Sequence, residues 1–169
     1  MTTLYLTQHQ LQFHGAVSLT ADPQGDTTPF YADNIVYYTS TANNGYQGDL
    51  EVAMLPDSFL TDILGQVVDD HGAIFESNDN KPAQFALMFQ IDGDAKNRRV
   101  CYYNCTAQRP SATANTTEDS ITPQTDTVTI TMAPRTTDKV VKCVMELTDS
   151  NTTAYNGFFS AVYEKYTSV

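Results

Sequence analysis

The stretch FYADNIVYY at residues 30–38, followed by NNGYQGDLEVAMLPDSFLTDIL at residues 43–64, decides the fold. Within it, residues 46–54 alternate strictly between two kinds of side chain. One set comprises Gly48, Leu50, Val52 and Met54, and the other comprises Gln47, Asp49, Glu51 and Ala53. This period of two predicts a β-strand with one dry face and one wet face.

The same stretch predicts a second strand, a turn and a short helix. Residues 35–39 are β-branched or aromatic, and Asn43-Asn44-Gly45 tolerates positive φ, so we expect a hairpin into the next strand. Pro56-Asp-Ser and Gly65 bracket a short helix near 57–64. Its apolar face would consist of Phe59, Leu60, Ile63 and Leu64, which should lie on a sheet.

Segments further along extend the β pattern. Residues 85–91 are apolar on both faces, which predicts a strand at the centre of the core. Asp92-Gly93-Asp94 predicts a turn that pairs this strand with residues 98–108. Further strands are predicted over Ala16–Thr20, Thr127–Met132 and Lys139–Leu147. The fold class is therefore mainly β.

Three regions depart from regular strands. Residues 109–125 are rich in Ser, Thr, Asn, Pro and acid, which predicts one long loop and a candidate contact arm. Aromatic residues recur at helical spacing near 152–166, which predicts an amphipathic C-terminal helix. Residues 1–14 show a broken alternation and are expected to form an N-terminal strand or arm.

Composition limits the classes of function. A chain of 169 residues is long enough for one ordinary domain and short for two. Nine Lys and Arg against 20 Asp and Glu give a net charge of −11, which disfavours nonspecific binding to nucleic acid or anionic membrane. With neither a signal-peptide pattern nor a long apolar run, we expect cytoplasmic synthesis and no membrane partner.

No catalytic, cofactor-binding or metal-binding site is predicted. Asp49 and Glu51 could be read as a glycosidase pair, but such i, i+2 pairs are common on solvated strands, and the chain lacks the Trp that often stacks on sugars. Cys101 and Cys105 would lie on one face of a strand ~13 Å apart, beyond the reach of a disulfide. Small buried side chains are the favoured interpretation, and the chain is not expected to be an enzyme.

Several ordered blocks resemble the major tail proteins of long-tailed, non-contractile bacteriophages. The blocks are the opening stretch, FALMFQIDGD at 85–94, YNCT at 103–106, RPS at 109–111 and PQTDT at 123–127. The resemblance runs from about Gly15 to Glu164 and implies one tail-tube domain over residues 1–169, a β-sandwich or barrel-like fold with a flanking helix. Family members usually carry a longer segment before the block that begins at Gly15.

The resemblance implies a structural protein of the virion tail that is assembled in the host cytoplasm. Copies of the chain would form six-fold rings that stack into a tube conducting double-stranded DNA without sequence recognition. The implied partners are other copies of the chain, the tape measure protein, the tail terminator and the distal tail protein. The alternative is a monomeric β-sandwich binding module of a surface or baseplate structure, because fold alone does not choose between these functions.

Specific residues follow from this interpretation. The wet-face residues Gln47, Asp49 and Glu51 are candidates for the tube lumen, with an ordinary solvent-facing sheet as the alternative. Ring stacking is assigned to the turn Asn43 to Tyr46 and to the long loop. The stacking or inter-subunit candidates are Asn43, Asn44, Tyr46, Arg98, Arg99, Arg109, Thr116, Glu118 and Arg135. The arginines would pair with acidic neighbours between subunits, with solvated surface positions as the alternative.

Overall fold

The computed structural model describes residues 4–6, 11–13, 15–32, 35–91, 93–111 and 125–165. Side chains are described at 15–27, 41–91, 93–111 and 125–165. The strands in these ranges are β1 Leu4–Leu6, β2 Leu11–Phe13, β3 Ala16–Leu19, β4 Asp22–Gln24, β5 Thr27–Ala32, β6 Ile35–Thr41, β7 Gly45–Val52, β8 Val67–Val68, β9 Ile74–Phe75, β10 Phe85–Gln90, β11 Arg99–Ala107, β12 Asp126–Ala133 and β13 Lys142–Met145.

Nine of these strands form one antiparallel sheet in the order β2-β1-β10-β11-β12-β7-β3, with β13 on β11 and β4 on β7. Strands β2 and β3 lie at opposite ends of that order, yet only two residues separate Phe13 from Ala16. The three Cα–Cα steps from Phe13 to Ala16 span at most ~11 Å, so the two edges of the sheet come close together. The sheet is curled and barrel-like, which confirms the mainly β prediction.

One face of the curled sheet holds the main core. Leu50 and Val52 of β7, Leu87 of β10 and Ile130 of β12 are almost fully buried there. A short helix, the π-helix Phe59–Ile63, packs into the same cluster through both of its terminal residues. The short helix predicted near 57–64 is confirmed, because its apolar side chains cover the dry faces of several strands.

A second cluster lies on the other side of β10 and β11. Met88 and Cys101 are fully buried there beneath Tyr155 and Phe158. The strand predicted at the centre of the core is confirmed, since β10 is buried on both faces. The C-terminal helix α1 covers only Thr152–Asn156, whereas the prediction extended it to 166. Beyond the helix, the chain continues in turns to Ser160. These turns still direct Phe158 towards the sheet.

The hairpin predicted at Asn43-Asn44-Gly45 is wrong. Strand β6 pairs with β5, and β4 pairs with the start of β7, so residues 22–32 run antiparallel to residues 35–47 as one ribbon. Backbone hydrogen bonds from Asn44 to Gln24 and from Ala42 to Asp26 join the two parts. Gly45 does adopt positive φ, but its conformation accommodates the carbonyl of Met132, and a Cβ there would lie 2.0 Å from that oxygen.

The predicted face of Cys105 is also wrong, because β11 contains a β-bulge. Phe85 pairs with Cys105 and Leu87 with Tyr102, so the single residue between them on β10 opposes two residues of β11. The extra residue reverses the alternation along the strand. Cys101 therefore points into the second cluster while Cys105 points into the main core.

Candidate functional site

The wet face of β7 is the face that sequence alternation predicts. Gln47 and Asp49 are exposed and Glu51 is half-buried, whereas Leu50 and Val52 are fully buried on the opposite side. Because the helix at 59–63 packs with that buried side, the three predicted residues lie on the far side of the sheet from it. Met54, assigned to the dry face, is instead 73% exposed beyond the end of the strand.

Hydroxyl groups of neighbouring segments hold the two carboxylates of the wet face. Thr129 donates a hydrogen bond of 2.7 Å to Asp49 Oδ1. Glu51 accepts one of 2.8 Å from Thr125 at Oε1 and one of 3.0 Å from Ser18 at Oε2. These hydroxyl groups are uncharged, so they orient the carboxylates without neutralising them. The face keeps its negative charge.

Charge is divided unevenly along the sequence. Residues 1–80 contain 11 Asp and Glu and no Lys or Arg, whereas residues 81–169 contain nine of each kind. Strands β3, β4 and β7 come from the first part, and β12, which pairs with β7, also lacks Lys and Arg. The four strands that surround the wet face therefore bring no cation to it.

The predicted stacking residues near the start of β7 lie against the fold. Asn43 Oδ1 accepts a hydrogen bond of 3.1 Å from the backbone N–H of Gly45. Tyr46 packs edge-on to Tyr102 with ring centres 5.4 Å apart, and Lys142 Nζ lies 4.4 Å from the Tyr46 ring centre. Tyr46 thus belongs to the margin of the main core, while Asn43 and Asn44 are exposed.

Two predicted arginines make intramolecular contacts near the β10–β11 turn. Arg98 Nε donates a hydrogen bond of 2.7 Å to Asp94, and this hydrogen-bonded guanidinium lowers the pKa of that carboxyl to about 2. Arg99 lies over the rings of Tyr155 and Phe159, 3.9 Å and 4.6 Å from their centres. Arg99 therefore joins the C-terminal helix to the sheet.

The other two arginines also have acidic partners within the chain. Arg109 forms an exposed ion pair of 2.6 Å with Glu76. Arg135 pairs with Asp138 at 2.6 Å and with Glu164 at 2.7 Å, and its guanidinium lies 4.6 Å from the ring centre of Tyr103. Thr116 and Glu118, the remaining predicted residues, lie outside the described part of the chain.

An exposed apolar ribbon was missed by the sequence analysis. Strands β8 and β9 pair Val67 with Phe75 and Val68 with Ile74, so each face of this two-stranded ribbon carries one apolar pair. Val67 is 63% exposed and Phe75 is 56% exposed. The signal was present, because two short apolar runs flank the turn-forming Asp-Asp-His-Gly sequence at 69–72.

Within the described ranges, no three His, Cys, Asp or Glu side chains are grouped as a metal site would require. No helix in those ranges is long and apolar enough to cross a bilayer. A surface cleft of about 770 Å³ lies between the β9 end and the start of the long loop. Polar groups of Gln66, Asn80, Gln108 and the Glu76–Arg109 pair line it.

Comparisons with known proteins agree with this architecture. A family model described as phage tail tube protein matches residues 21–167. Curated proteins give no match. Among solved structures, the tube-terminating cap of the anti-feeding prophage superposes with a TM-score of 0.55 at 10% identity, over 85% of this chain and 88% of that one.

Two further solved structures are similar. The sheath–tube complex of PVC, an extracellular contractile injection system, in its extended state gives a TM-score of 0.51 at 12% identity, over 86% of this chain and 88% of that one. Hcp1 from Flavobacterium johnsoniae gives 0.42 at 13% identity, over 87% and 98%. At such identities the first two structures support the fold alone.

Proposed function

The chain belongs to the phage tail tube protein family, whose members are structural proteins rather than enzymes, and we propose that its copies form the tube of a long, non-contractile phage tail. In this proposal, six copies close into a ring, and stacked rings enclose a lumen through which double-stranded DNA passes. The protein is then a virion tail component that assembles in the host cytoplasm.

The wet face of β7 is the observation that carries the proposal. Gln47, Asp49 and Glu51 lie on a face whose four strands contain no Lys or Arg. DNA binds to proteins largely through contacts between phosphates and cations, so a cation-free lumen lets it slide without sticking. We therefore assign these three side chains to the lumen.

The division of charge supports contact between unlike surfaces of neighbouring copies. Two acidic surfaces from residues 1–80 would repel one another, whereas one of them can face the cation-bearing part of the next copy. A contact between two different surfaces is heterologous, and it closes into a ring when the rotation per subunit divides a full turn. Six subunits satisfy this condition with a rotation of roughly 60°.

The β8–β9 ribbon is the proposed acidic partner in that contact. Its apolar pairs adjoin Asp69, Asp70 and Glu76. The complementary surface on the next copy combines the exposed apolar side chains of Val144 and Leu147 with Lys96, which pairs with Glu146 beside them. Burying apolar side chains at the centre of the contact while opposite charges align at its margin suits a stable interface.

Stacking between rings is assigned to the ribbon β5–β6, to its junction with the sheet and to the long loop. The ribbon β5–β6 pairs only with itself among the described strands. Asn43, Asn44 and Tyr46 lie where this ribbon meets the sheet, and Thr116 and Glu118 belong to the long loop 109–125. Stretches rich in hydroxyl and amide side chains offer many hydrogen-bonding groups to a partner, and the adjacent ring would be that partner.

The arginines contribute at the margins of these contacts. Arg98 and Arg109 are about 45% and 75% exposed in their ion pairs and can reach acidic groups of a neighbouring copy. Arg99 and Arg135 would act indirectly, by holding the C-terminal segment that a neighbour contacts. Other proposed partners are the tape measure protein within the tube, the tail terminator and the distal tail protein.

Electron microscopy of the purified protein across a concentration series, with sedimentation of the same samples, tests the proposal. Six-fold rings or hollow tubes are expected, alone or after addition of a tail-initiation complex. Particles that stay monomeric in both conditions and bind a carbohydrate or protein ligand would favour the monomeric binding module instead. Deleting residues 113–121 should block tube growth while leaving a folded monomer, and unchanged tubes would refute the role of the loop.

The ribbon contact has its own matched pair of variants. Phe75→Ser should prevent ring formation, because it removes an apolar group from the centre of the proposed contact. Met54→Ser removes an apolar side chain that is even more exposed but lies elsewhere, and it should leave rings intact. If rings form equally well with both variants, the ribbon contact is rejected, whereas the proposal that the chain forms a tube still stands.

A further inference from the structure

Two cysteines face each other across the pair of strands β11 and β13. Cys101 of β11 is in direct register with Cys143 of β13. The neighbouring pair confirms the local ladder, since the Tyr103 N–H donates a hydrogen bond of 3.1 Å to the Val141 carbonyl. Both thiols are free, and both contribute to the second cluster. They therefore project from the same face of the sheet.

The spacing of an antiparallel ladder suits a covalent bond between them. Along such a ladder, every second pair of opposite residues exchanges backbone hydrogen bonds. Tyr103–Val141 is a hydrogen-bonded pair, so Cys101–Cys143, two residues further along, is one as well. The Cα atoms of such a pair lie ~5.5 Å apart. Disulfides span Cα separations of about 4.4–6.8 Å. The Cβ atoms must approach by roughly 1 Å, and β13 can supply this shift because it is a four-residue strand.

The third cysteine provides an internal contrast. The β-bulge directs Cys105 into the main core, on the opposite face of β11 from Cys101. Cys105 is fully buried and has no cysteine in register with it, since its partners are Phe85 and Met132. Only one pair of thiols in this chain is thus placed for a bond.

Accessibility sets the order in which the pair would react. Cys143 is half-buried, so a soluble reagent can reach it, whereas Cys101 is fully buried beneath the C-terminal segment. Burial raises the pKa of Cys101 to about 12 and raises that of Cys143 as well. Since the thiolate is the reactive species, exchange is slow at neutral pH and accelerates as pH rises.

We propose that Cys101 and Cys143 form an intramolecular disulfide when the folded chain meets a soluble low-molecular-weight disulfide. The Cys143 thiolate attacks one sulfur of the reagent, forms a mixed disulfide and releases one thiolate of the reagent. The Cys101 thiolate then attacks Cys143 Sγ, which forms the internal bond and releases the second thiolate. The two cysteines lose two electrons and two protons, and the reagent is reduced to two thiols.

The bond would tie the short edge strand β13 to the centre of the sheet. Its strain makes it more reducible than an unstrained structural disulfide, so the modification is reversible. The chain stays reduced in a reducing cytoplasm and becomes crosslinked in an oxidising medium. This inference rests on the fold and does not depend on the proposed tube.

Incubation of the full chain with oxidised glutathione at pH 8.5 tests the proposal. Intact mass should fall by about 2 Da, peptide mapping should join Cys101 to Cys143, and the unfolding midpoint should rise by ~5 °C until dithiothreitol reverses it. Cys105→Ser should behave like the wild type. Cys101→Ser should stop at a glutathione adduct on Cys143, which shows the order of attack without requiring any change in stability.

Three results would overturn the proposal. They are a wild-type chain that keeps all three thiols, a glutathione adduct on Cys143 that persists although Cys101 is present, and crosslinks that join two chains on non-reducing electrophoresis. Cysteine-specific labelling after denaturation distinguishes these results, because it counts the thiols that remain.

Discussion

The guanidinium of Arg135 donates hydrogen bonds of 2.7 Å and 2.8 Å to the two carboxylate oxygens of Glu164. One residue earlier, the carbonyl of Tyr163 accepts a 2.6 Å hydrogen bond from Tyr103, over whose ring the same guanidinium lies. These contacts hold the C-terminal segment over the second cluster, on the face of the sheet opposite the main core. Together, the contacts of Arg135 and Tyr103 with residues 163 and 164 form a C-terminal clamp.

Replacing Arg135 should loosen that segment. Arg135→Gln removes a bidentate ion pair and a cation–π contact, so the free energy of unfolding should fall by about 1 kcal/mol and the midpoint by ~2–4 °C. Thermal unfolding followed by circular dichroism measures the change. Arg109→Gln, which breaks a far more exposed pair, should shift the midpoint by much less. Equal shifts in both variants would contradict a special role for the clamp.

The clamp should weaken in acid. Hydrogen bonds from Arg135 lower the pKa of Asp138 to about 2 and that of Glu164 below its ordinary 4.5. A carboxyl with a lowered pKa stabilises the fold fully above its unfolded-state pKa, and the stabilisation disappears as pH falls through the folded value. The difference in midpoint between wild type and Arg135→Gln should therefore be constant from pH 7 to pH 5 and shrink towards pH 2, where the cation–π contact with Tyr103 remains. A midpoint difference at pH 2 as large as the one at pH 7 would refute this account.

Positive charge on the wet face should retard DNA. Virions with Asp49→Lys and Glu51→Lys in this chain should assemble tails but release DNA more slowly at low salt, because phosphates would bind the new cations. High salt should restore the rate. The control Asp57→Lys with Asp79→Lys makes the same change in net charge at exposed positions outside the wet face. If both double variants release DNA at the wild-type rate, the lumen assignment fails.

A methyl group at Gly48 should damage the sheet. An added Cβ would lie 2.0 Å from the Thr20 carbonyl oxygen, which is backbone and cannot turn aside. Gly48→Ala should cost about 2–3 kcal/mol of unfolding free energy, measured by urea denaturation. Gly72→Ala is the control, since nothing lies within 4 Å of its Cβ and its positive φ should cost only ~1 kcal/mol. Equal urea midpoints for the two variants would contradict the clash.

Sequence alternation predicted the strands well because burial imposes a period of two. The wet and dry faces of β7 and the doubly buried β10 both follow from side chains within a single strand. The pairing of strands could not be predicted in this way. Asn43-Asn44-Gly45 satisfies the local preferences of a hairpin turn, yet β6 pairs with β5. Local preference cannot identify which distant segment supplies the hydrogen bonds.

At the candidate site too, the sequence of one strand predicted the exposed residues but not their contacts with distant segments. Alternation identified Asp49 and Glu51, but the hydroxyl groups that hold them come from Ser18, Thr125 and Thr129 on other segments. The bulge that separates Cys101 from Cys105 depends on the register against β10, so counting residues along β11 could not reveal it. The C-terminal aromatic spacing predicted too long a helix, because consecutive turns can also direct aromatic rings to one side.

The pairing of β7 with β12 affects the order of events during synthesis. The contact between Asp49 and Thr129 joins residues 80 positions apart, whereas β10 and β11 are neighbours in the chain. The local hairpin can form while the ribosome is still extending the polypeptide, but β7 must wait for β12 to emerge. A nascent chain therefore cannot present a finished wet face to its neighbours, which delays association until almost the whole subunit has been made.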